Sequence, residues 1–304
     1  MPELCLGTVQ FGMKYGINNV LGQPTIEESF EMLDIAIDKG IKVIDTAKAY
    51  GEAESILGKY FSIKRNANKV KVISKLCPNI IKHNERDIKG VIRKELEMSL
   101  ERLNIDKLDG YLLHTPNYIY NKDIIQGLVS LKDEKLVSNI GVSIYEIEDG
   151  EEAIRTGVID YIQLPYSILD QRGEKTGFIS RAKKAGIKIY TRSAFLQGLF
   201  TMERERIPNH LQSVLRYIDQ FENLLDKYKL SKMEALIQFV KSEENIDYLV
   251  FGVDTRDQLL QDIQLFNNCD INYKFIKEVK DCFINIEKSI IFPSLWSNGK
   301  VPTN

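Results

Sequence analysis

The chain has 304 residues, of which 43% are hydrophobic and 28% charged, and its formal net charge is −2. That is enough apolar material for a sizeable core, and the charge balance gives no general electrostatic reason to hold nucleic acid or an anionic membrane. Cys5, Cys77, Cys269 and Cys282 show no metal-ligand or disulfide spacing, and nowhere do about 18 apolar residues run together, so a soluble cytoplasmic protein with reduced thiols and no bound metal is expected.

Along the chain, short β-branched apolar runs alternate with longer stretches of helical period. Strands are expected at Leu4–Val9, Lys42–Thr46, Val70–Lys75, Leu108–His114, Asn139–Ser143, Tyr161–Pro165, Lys188–Ser193 and Tyr248–Val253. Their apolar character is nearly continuous, which suits parallel strands covered by helices. After the first, IEESFEMLDIAIDKG puts Phe30, Leu33 and Ile37 on one helical face and ends at Gly40, a residue suited to the position just past a helix. IKGVIRKELEMSLERLN, FISRAKKAG and RDQLLQDIQLF repeat the pattern. The longest interruption precedes the eighth strand, where SAFLQGLFTMERERIPNH and helical segments near Leu211–Tyr228 and Lys232–Lys241 leave room for a loop over one face.

This alternation predicts an α/β fold, a (β/α)8 TIM barrel with outer helices, as a single domain over residues 1–304. The competing doubly wound sheet would carry a GxGxxG turn after its first strand, and LGTVQFGMKYG lacks that spacing.

In a barrel, side chains at the carboxyl ends of the strands converge on one mouth. Asp45 ends the second strand and Tyr50 follows it, Lys75 ends the third, and His114 ends the fourth. Singly, each has an ordinary structural role: a turn or N-cap aspartate, an amphipathic tyrosine, a snorkelling lysine, a hydrogen-bonded histidine. Together they form a chemical set. A phenol with a reference pKa of about 10 is a poor acid at neutral pH unless its anion is favoured, and an ammonium at Lys75 would lower Tyr50 toward a working range. Asp45 supplies the counter-charge that a buried ammonium needs, and His114 can orient a substrate oxygen.

These residues resemble the aldo-keto reductase family. GIKVIDTAKAYGEAESILG is similar to the family's Asp–Tyr signature, with Glu54, Leu57 and Gly58 continuing it, and VISKL and LLHTP match its lysine and histidine segments. LGTVQFG, NIGVSIY, DYIQLPYSILDQR and LQGLF extend the resemblance from Leu4 to about Phe266. It implies an NAD(P)H-dependent reductase of a small-molecule carbonyl, with Tyr50 as general acid, Lys75 and Asp45 tuning it and His114 positioning the carbonyl. It also implies cofactor contacts: Ser143 and Gln163 on the nicotinamide carboxamide, Thr8 and Val9 lining that part of the pocket, and Ser193, Leu196 and Gly198 around the pyrophosphate. FGVDTRDQLLQD, with Gly252, Asp254, Thr255, Arg256 and Gln258, matches the adenosine-phosphate loop at a helix start, where backbone N–H groups suit an anion.

The chain departs from the family pattern at several positions. Ile144 follows Ser143 where many members carry asparagine, Ser167 replaces a frequent asparagine, and Arg192 stands where an aromatic ring often stacks on the nicotinamide. In the phosphate loop Arg256 could pair with a 2′-phosphate, whereas Asp254 would repel it and accept from a free ribose hydroxyl. NADPH is the expected cofactor, with NADH the alternative.

Two segments bear on the substrate. The loop TPNYIYNKD, rich in Tyr and Asn, suits a hydroxylated substrate, and the resemblance lies toward a bacterial branch linked with activated sugars and surface polysaccharides, so a keto-sugar or nucleotide-sugar is expected. The tail IIFPSLWSNGKVPTN carries Trp296, which reads as a hydrophobic plug ahead of a substrate lid. Two other classes compete with the reductase: a Schiff-base lyase using Lys75 as nucleophile and a cofactor-binding regulatory subunit. Oligomeric state is left open by the sequence.

Overall fold

The structure, a computed structural model, describes residues 1–296. Its strands are β1 (Glu3–Gly7), β2 (Val43–Asp45), β3 (Lys71–Leu76), β4 (Leu108–Leu113), β5 (Val137–Ser143), β6 (Tyr161–Pro165), β7 (Lys188–Arg192) and β8 (Tyr248–Phe251). They pair in chain order, all parallel, and β8 closes onto β1 through Glu3↔Tyr248 to Leu6↔Phe251. The expected barrel is therefore the fold, with helices packed around it.

Strand ends differ from the expected ones where the backbone turns. β1 stops at Gly7 because Thr8 leaves the extended region (φ −115°, ψ 14°) and Val9–Gly12 winds into a single helical turn. β7 stops at Arg192, since Ser193 adopts φ +64°. β4 ends at Leu113, so His114 opens the following loop. Helix Ile26–Asp38 starts on a Thr25–Glu28 capping box, which satisfies two N–H groups reciprocally, and ends before Gly40 at φ +88°.

Two apolar regions hold the fold. The larger lies between the strands and the helices; the smaller fills the barrel with Cys5, Val43, Ile73, Leu112, Tyr161 and Tyr190. At the foot of the barrel Tyr190 stacks on Tyr248, with ring centroids 4.6 Å apart, and packs against Tyr161 at 5.1 Å. Trp296 is buried and its indole N–H donates to the Ile290 carbonyl at 3.0 Å, which makes it a plug; residues 297–304 of the tail lie outside the described residues. No helix among the described residues is long and apolar enough to cross a membrane.

Candidate active site

Asp45, Tyr50, Lys75 and His114 are brought together at the carboxyl ends of β2, β3 and β4. The Lys75 ammonium donates to both Asp45 oxygens, at 2.7 and 2.8 Å, to the Thr46 carbonyl at 3.0 Å and to the Tyr50 hydroxyl at 3.3 Å. Lys75 and Asp45 are buried at 0% and 2% exposure, so each charge is compensated by the other and by hydrogen bonds rather than by water. Gln163 on β6 donates to Asp45 Oδ1 at 2.8 Å, and Thr8 clasps the Asp45 carbonyl through its N–H and hydroxyl. The His114 ring stands edge-on to Tyr50, with centroids 5.8 Å apart.

The position of Tyr50 depends on a close backbone contact. A Cβ on Gly12 would lie 1.7 Å from the Tyr50 carbonyl oxygen, and one on Gly51 would lie 2.4 Å from the Gly12 oxygen. Gly51 also needs its φ of +55°. One turn after β1 thus seats the loop that carries the phenol. Beneath it, the buried Glu54 accepts from Ser74 at 2.6 Å and from Arg102 at 2.7 Å, tying that loop's helix to β3.

The electrostatics correct one expectation. Lys75 does not bring Tyr50 into a low working range: burial, and then the Asp45 carboxylate, push the phenol well above its ordinary value, with the Arg192 guanidinium pulling the other way. The physical reason is that the Lys75 charge is spent on Asp45, leaving desolvation to dominate. His114 is held neutral, pushed down to about 3 by burial and by the nearby Lys75 and Arg192 charges. Among the described residues its Nδ1 has no hydrogen-bond partner.

A cavity of about 380 Å³ opens at this end of the barrel. Of the expected contact residues, its wall includes Thr8, Val9, Asp45, Tyr50, Gln163, Arg192, Ser193, Gly198, Gly252, Asp254 and Gln258. Ser143 is buried beside Gln163 in the β5–β6 register and Leu196 packs into the core; neither lines the cavity. Thr255 caps helix Arg256–Asn268, and it lines a neighbouring depression with Arg256, Asp254, Glu28, Glu31 and Asp257. The Arg192 guanidinium lies 4.2 Å from the Tyr145 ring centroid and donates to the Ile144 carbonyl at 3.1 Å.

A comparison with known proteins places this geometry. The profile described as "Aldo/keto reductase family" matches residues 3–284. The chain belongs to the aldo/keto reductase family. It is similar to the aldo-keto reductase YhdN of Bacillus subtilis (strain 168), with 25% identity over 256 residues covering 76% of each chain. The NADH-specific methylglyoxal reductase of Escherichia coli (strain K12) is 23% identical over 75% of this chain and 79% of its own. The holo form of an aldo-keto reductase from Bacillus halodurans shares the fold, with a TM-score of 0.72 at 20% identity over 92% of this chain and 91% of that one. The protein is accordingly an oxidoreductase of a family that uses nicotinamide cofactors and acts on small-molecule carbonyls.

The cavity suits such a cofactor on its own evidence. Among the described residues Gln10 Oε1 is buried without a partner in its wall, and a Cβ at Gly252 would sit 2.3 Å from that atom, so only glycine leaves room for the Gln10 side chain there. Ser193, Leu196, Gln197 and Gly198 all take φ between +45° and +85°, a run of backbone strain of the sort that functional loops retain. Tyr15, Asn18 and Asn19, from the loop after β1, complete the wall: Gln197 donates to the Tyr15 hydroxyl at 2.9 Å and Asn19 to Asp254 at 3.0 Å.

Several of these residues escape a sequence reading. Tyr15, Asn18 and Asn19 sit in a Gly- and Asn-containing turn that signals only a loop, and Gln261 and Asp262 look like polar positions on a surface helix although they face the cavity. The Tyr- and Asn-rich loop after β4 is corrected in the other direction. The Ile81 N–H donates to the Tyr118 hydroxyl at 2.9 Å, the Tyr120 hydroxyl donates to Asp149, and Asn121 caps the next helix, so these side chains hold the loop and do not line the cavity.

Proposed function

We propose that the protein is a nicotinamide-dependent carbonyl reductase in which Tyr50 hands its proton to the carbonyl oxygen. The observation that carries this reading is the Asp45–Lys75–Tyr50 chain, with the ammonium 3.3 Å from the phenol on the wall of a cavity large enough for ligands. A reduced nicotinamide supplies the hydride when bound. The raised phenol keeps Tyr50 protonated, as a donor must be, and an alkoxide forming at the substrate is a stronger base than the phenolate left behind. Lys75 stands ready to compensate that phenolate, and Asp45 prevents the ammonium from being a buried, unpaired charge. Neutral His114 offers a hydrogen bond that fixes the carbonyl oxygen near Tyr50.

Gln163 would orient the carboxamide, with its Oε1 as acceptor because its Nε2 is committed to Asp45, and Ser143, buried beside it in the β5–β6 register, would reach the carboxamide only if the cavity deepens there on binding. Thr8, Val9 and Arg192 would border the nicotinamide. Ser193, Leu196 and Gly198 would follow the pyrophosphate through their backbone, and Gly252, Thr255 and Gln258 the adenosine end. NADH is favoured over the NADPH expected from the resemblance. Arg256 shares its depression with Glu28, Glu31, Asp254 and Asp257, and carboxylates repel a 2′-phosphate while accepting from free ribose hydroxyls. The relative named for NADH specificity agrees with this.

For the substrate we favour a small polar carbonyl compound, a keto-sugar or a 2-oxoaldehyde, since two relatives are named as methylglyoxal reductases. The test is oxidation of NADH and NADPH with a panel of keto-sugars, nucleotide-sugars and methylglyoxal, run beside borohydride trapping of lysine adducts. Oxidation of NADH without an adduct supports the reading. A trapped Lys75 adduct without cofactor oxidation would overturn it in favour of a Schiff-base lyase, and cofactor binding without turnover in favour of a regulatory subunit.

A further inference from the structure

Of the charged side chains that line the cavity, Asp45, Asp254, Asp262 and Arg192, only the last is a cation. Arg192 is half-buried and has no carboxylate partner among the described residues. Every other arginine there that is not exposed is paired: Arg93 with Glu97, Arg102 with Glu54 at 2.7 Å, and Arg172 with Asp170 and Glu146 at 2.8 and 3.0 Å. A guanidinium stays charged at any working pH, so one drawn away from water without a counter-charge is costly unless a ligand supplies it.

The contrast with Arg172 is close, because both guanidinium groups rest on one aromatic ledge. Arg172 lies 4.6 Å from the Phe292 ring centroid and Arg192 4.2 Å from that of Tyr145, and the two rings meet edge-on at 5.5 Å. A ring face attracts a cation but does not neutralise it. Arg172 adds two carboxylates, whereas Arg192 adds only the Ile144 carbonyl at 3.1 Å and the Ser193 hydroxyl at 3.3 Å. Those take two of its five N–H groups and leave the rest without an acceptor among the described residues. A second donor stands in the same wall. The Tyr15 hydroxyl accepts from Gln197 at 2.9 Å, and its own proton has no acceptor among the described residues. Burial first, then Tyr50 and Tyr145, push this phenol up to about 12, so it keeps that proton at neutral pH.

The dinucleotide proposed above does not supply the missing charge. A reduced nicotinamide is neutral and the oxidised ring is positive. The pyrophosphate, in that reading, follows the Ser193–Gly198 turn, which contacts the loop after β1 through the Asn18 N–H and the Gln197 carbonyl. The guanidinium turns the other way, to Ile144 and Tyr145 after β5. Its charge is felt at Tyr50 and His114, pulling both toward lower values, so it stands at the end of the cavity where a carbonyl would be reduced. We infer that Arg192, with the Tyr15 hydroxyl in the same wall, binds an anionic group on the carbonyl substrate, a carboxylate or a phosphate. The protein thereby selects negatively charged carbonyl compounds over neutral ones of the same skeleton. This rests on the reductase reading above and narrows its substrate class.

The test follows NADH oxidation with substrates matched in skeleton and differing in the anion: butanal with 4-oxobutanoate, and glyceraldehyde with glyceraldehyde 3-phosphate. In the wild type, kcat/KM for the anionic member of at least one pair exceeds that of the neutral member by about 10- to 100-fold, the worth of a charge-assisted hydrogen bond. The pair that shows the preference names the anion. In Arg192→Gln the ratio collapses toward one, whatever the substitution does to both members together. Arg192→Lys, which keeps the charge and loses the planar fork, retains part of it, and Tyr15→Phe lowers it by a smaller factor of about three.

A wild-type ratio near or below one for both pairs overturns the inference without recourse to any variant, and so does a ratio that survives in Arg192→Gln. NADH binding, followed by nicotinamide emission, with turnover of none of the four compounds also overturns it and leaves the cofactor reading standing. Failure of the wild type to bind NADH overturns the cofactor reading itself.

Discussion

At the foot of the barrel, Tyr190 stacks on Tyr248 and packs at a tilt against Tyr161 inside the ring of strands; at the mouth, Tyr50 meets an ammonium and a cavity. Burial raises the pKa of all four phenols, moving Tyr248 to about 12. The difference lies in what surrounds each hydroxyl. The foot phenols serve mainly as ring area, with Tyr161 donating to Asp109 at 2.9 Å, whereas Tyr50 is held beside Lys75, which can compensate a phenolate. A raised phenol thus accompanies packing at one end and, at the other, a hydroxyl within hydrogen-bond reach of an ammonium.

Breaking the mouth should have the largest effect. Lys75→Met leaves the Asp45 carboxylate buried and unpaired, and should cost about 3–5 kcal/mol of stability together with at least about 100-fold in kcat. Adding Asp45→Asn should restore most of the denaturation midpoint and none of the turnover. Chemical denaturation and steady-state kinetics on the two variants check both halves.

Breaking the foot should do the reverse. Tyr190→Ala opens a cavity in the barrel and should cost about 3–5 kcal/mol, with kcat per folded molecule unchanged. A loss of kcat in a folded Tyr190→Ala protein would mean that the two ends are coupled.

A subtler test moves the proton donor without removing it. Gly12→Ala forces a Cβ into the Tyr50 carbonyl and should lower kcat by about 100-fold, with far less change in cofactor affinity. Titration of the same sample with NADH separates displacement from unfolding.

The smallest expected effect concerns His114. Since it is pushed down to about 3, kcat/KM should show no break near the ordinary histidine value of about 6.5. The sign for stability follows from the same shift. As pH falls below about 6.5 the unfolded chain takes up a proton that the folded histidine refuses, so stability is lost toward acid, and His114→Gln should flatten that loss.

The barrel and the four mouth residues were legible because their signals are local: apolar runs of strand length, each ending in a polar group at a fixed place. What escaped depends on surroundings that a sequence does not display. Ser193 reads as a strand residue until its φ of +64° turns the chain. Leu196 matched a motif, yet its side chain belongs to the core. Asp262 has the pattern of a solvated helix position, yet it is buried and lines the cavity. For Tyr50 the sequence shows only the proximity of Lys75, which suggests a lowered phenol, while burial, invisible in the sequence, dominates and pushes it up.

The most direct test of the central claim is the single-turnover rate of hydride transfer in Tyr50→Phe, measured with NADH affinity on the same preparation. A protein that binds NADH as the wild type does and transfers hydride about 100- to 10,000-fold more slowly is the predicted result. A transfer rate close to the wild type's would contradict Tyr50 as the proton donor.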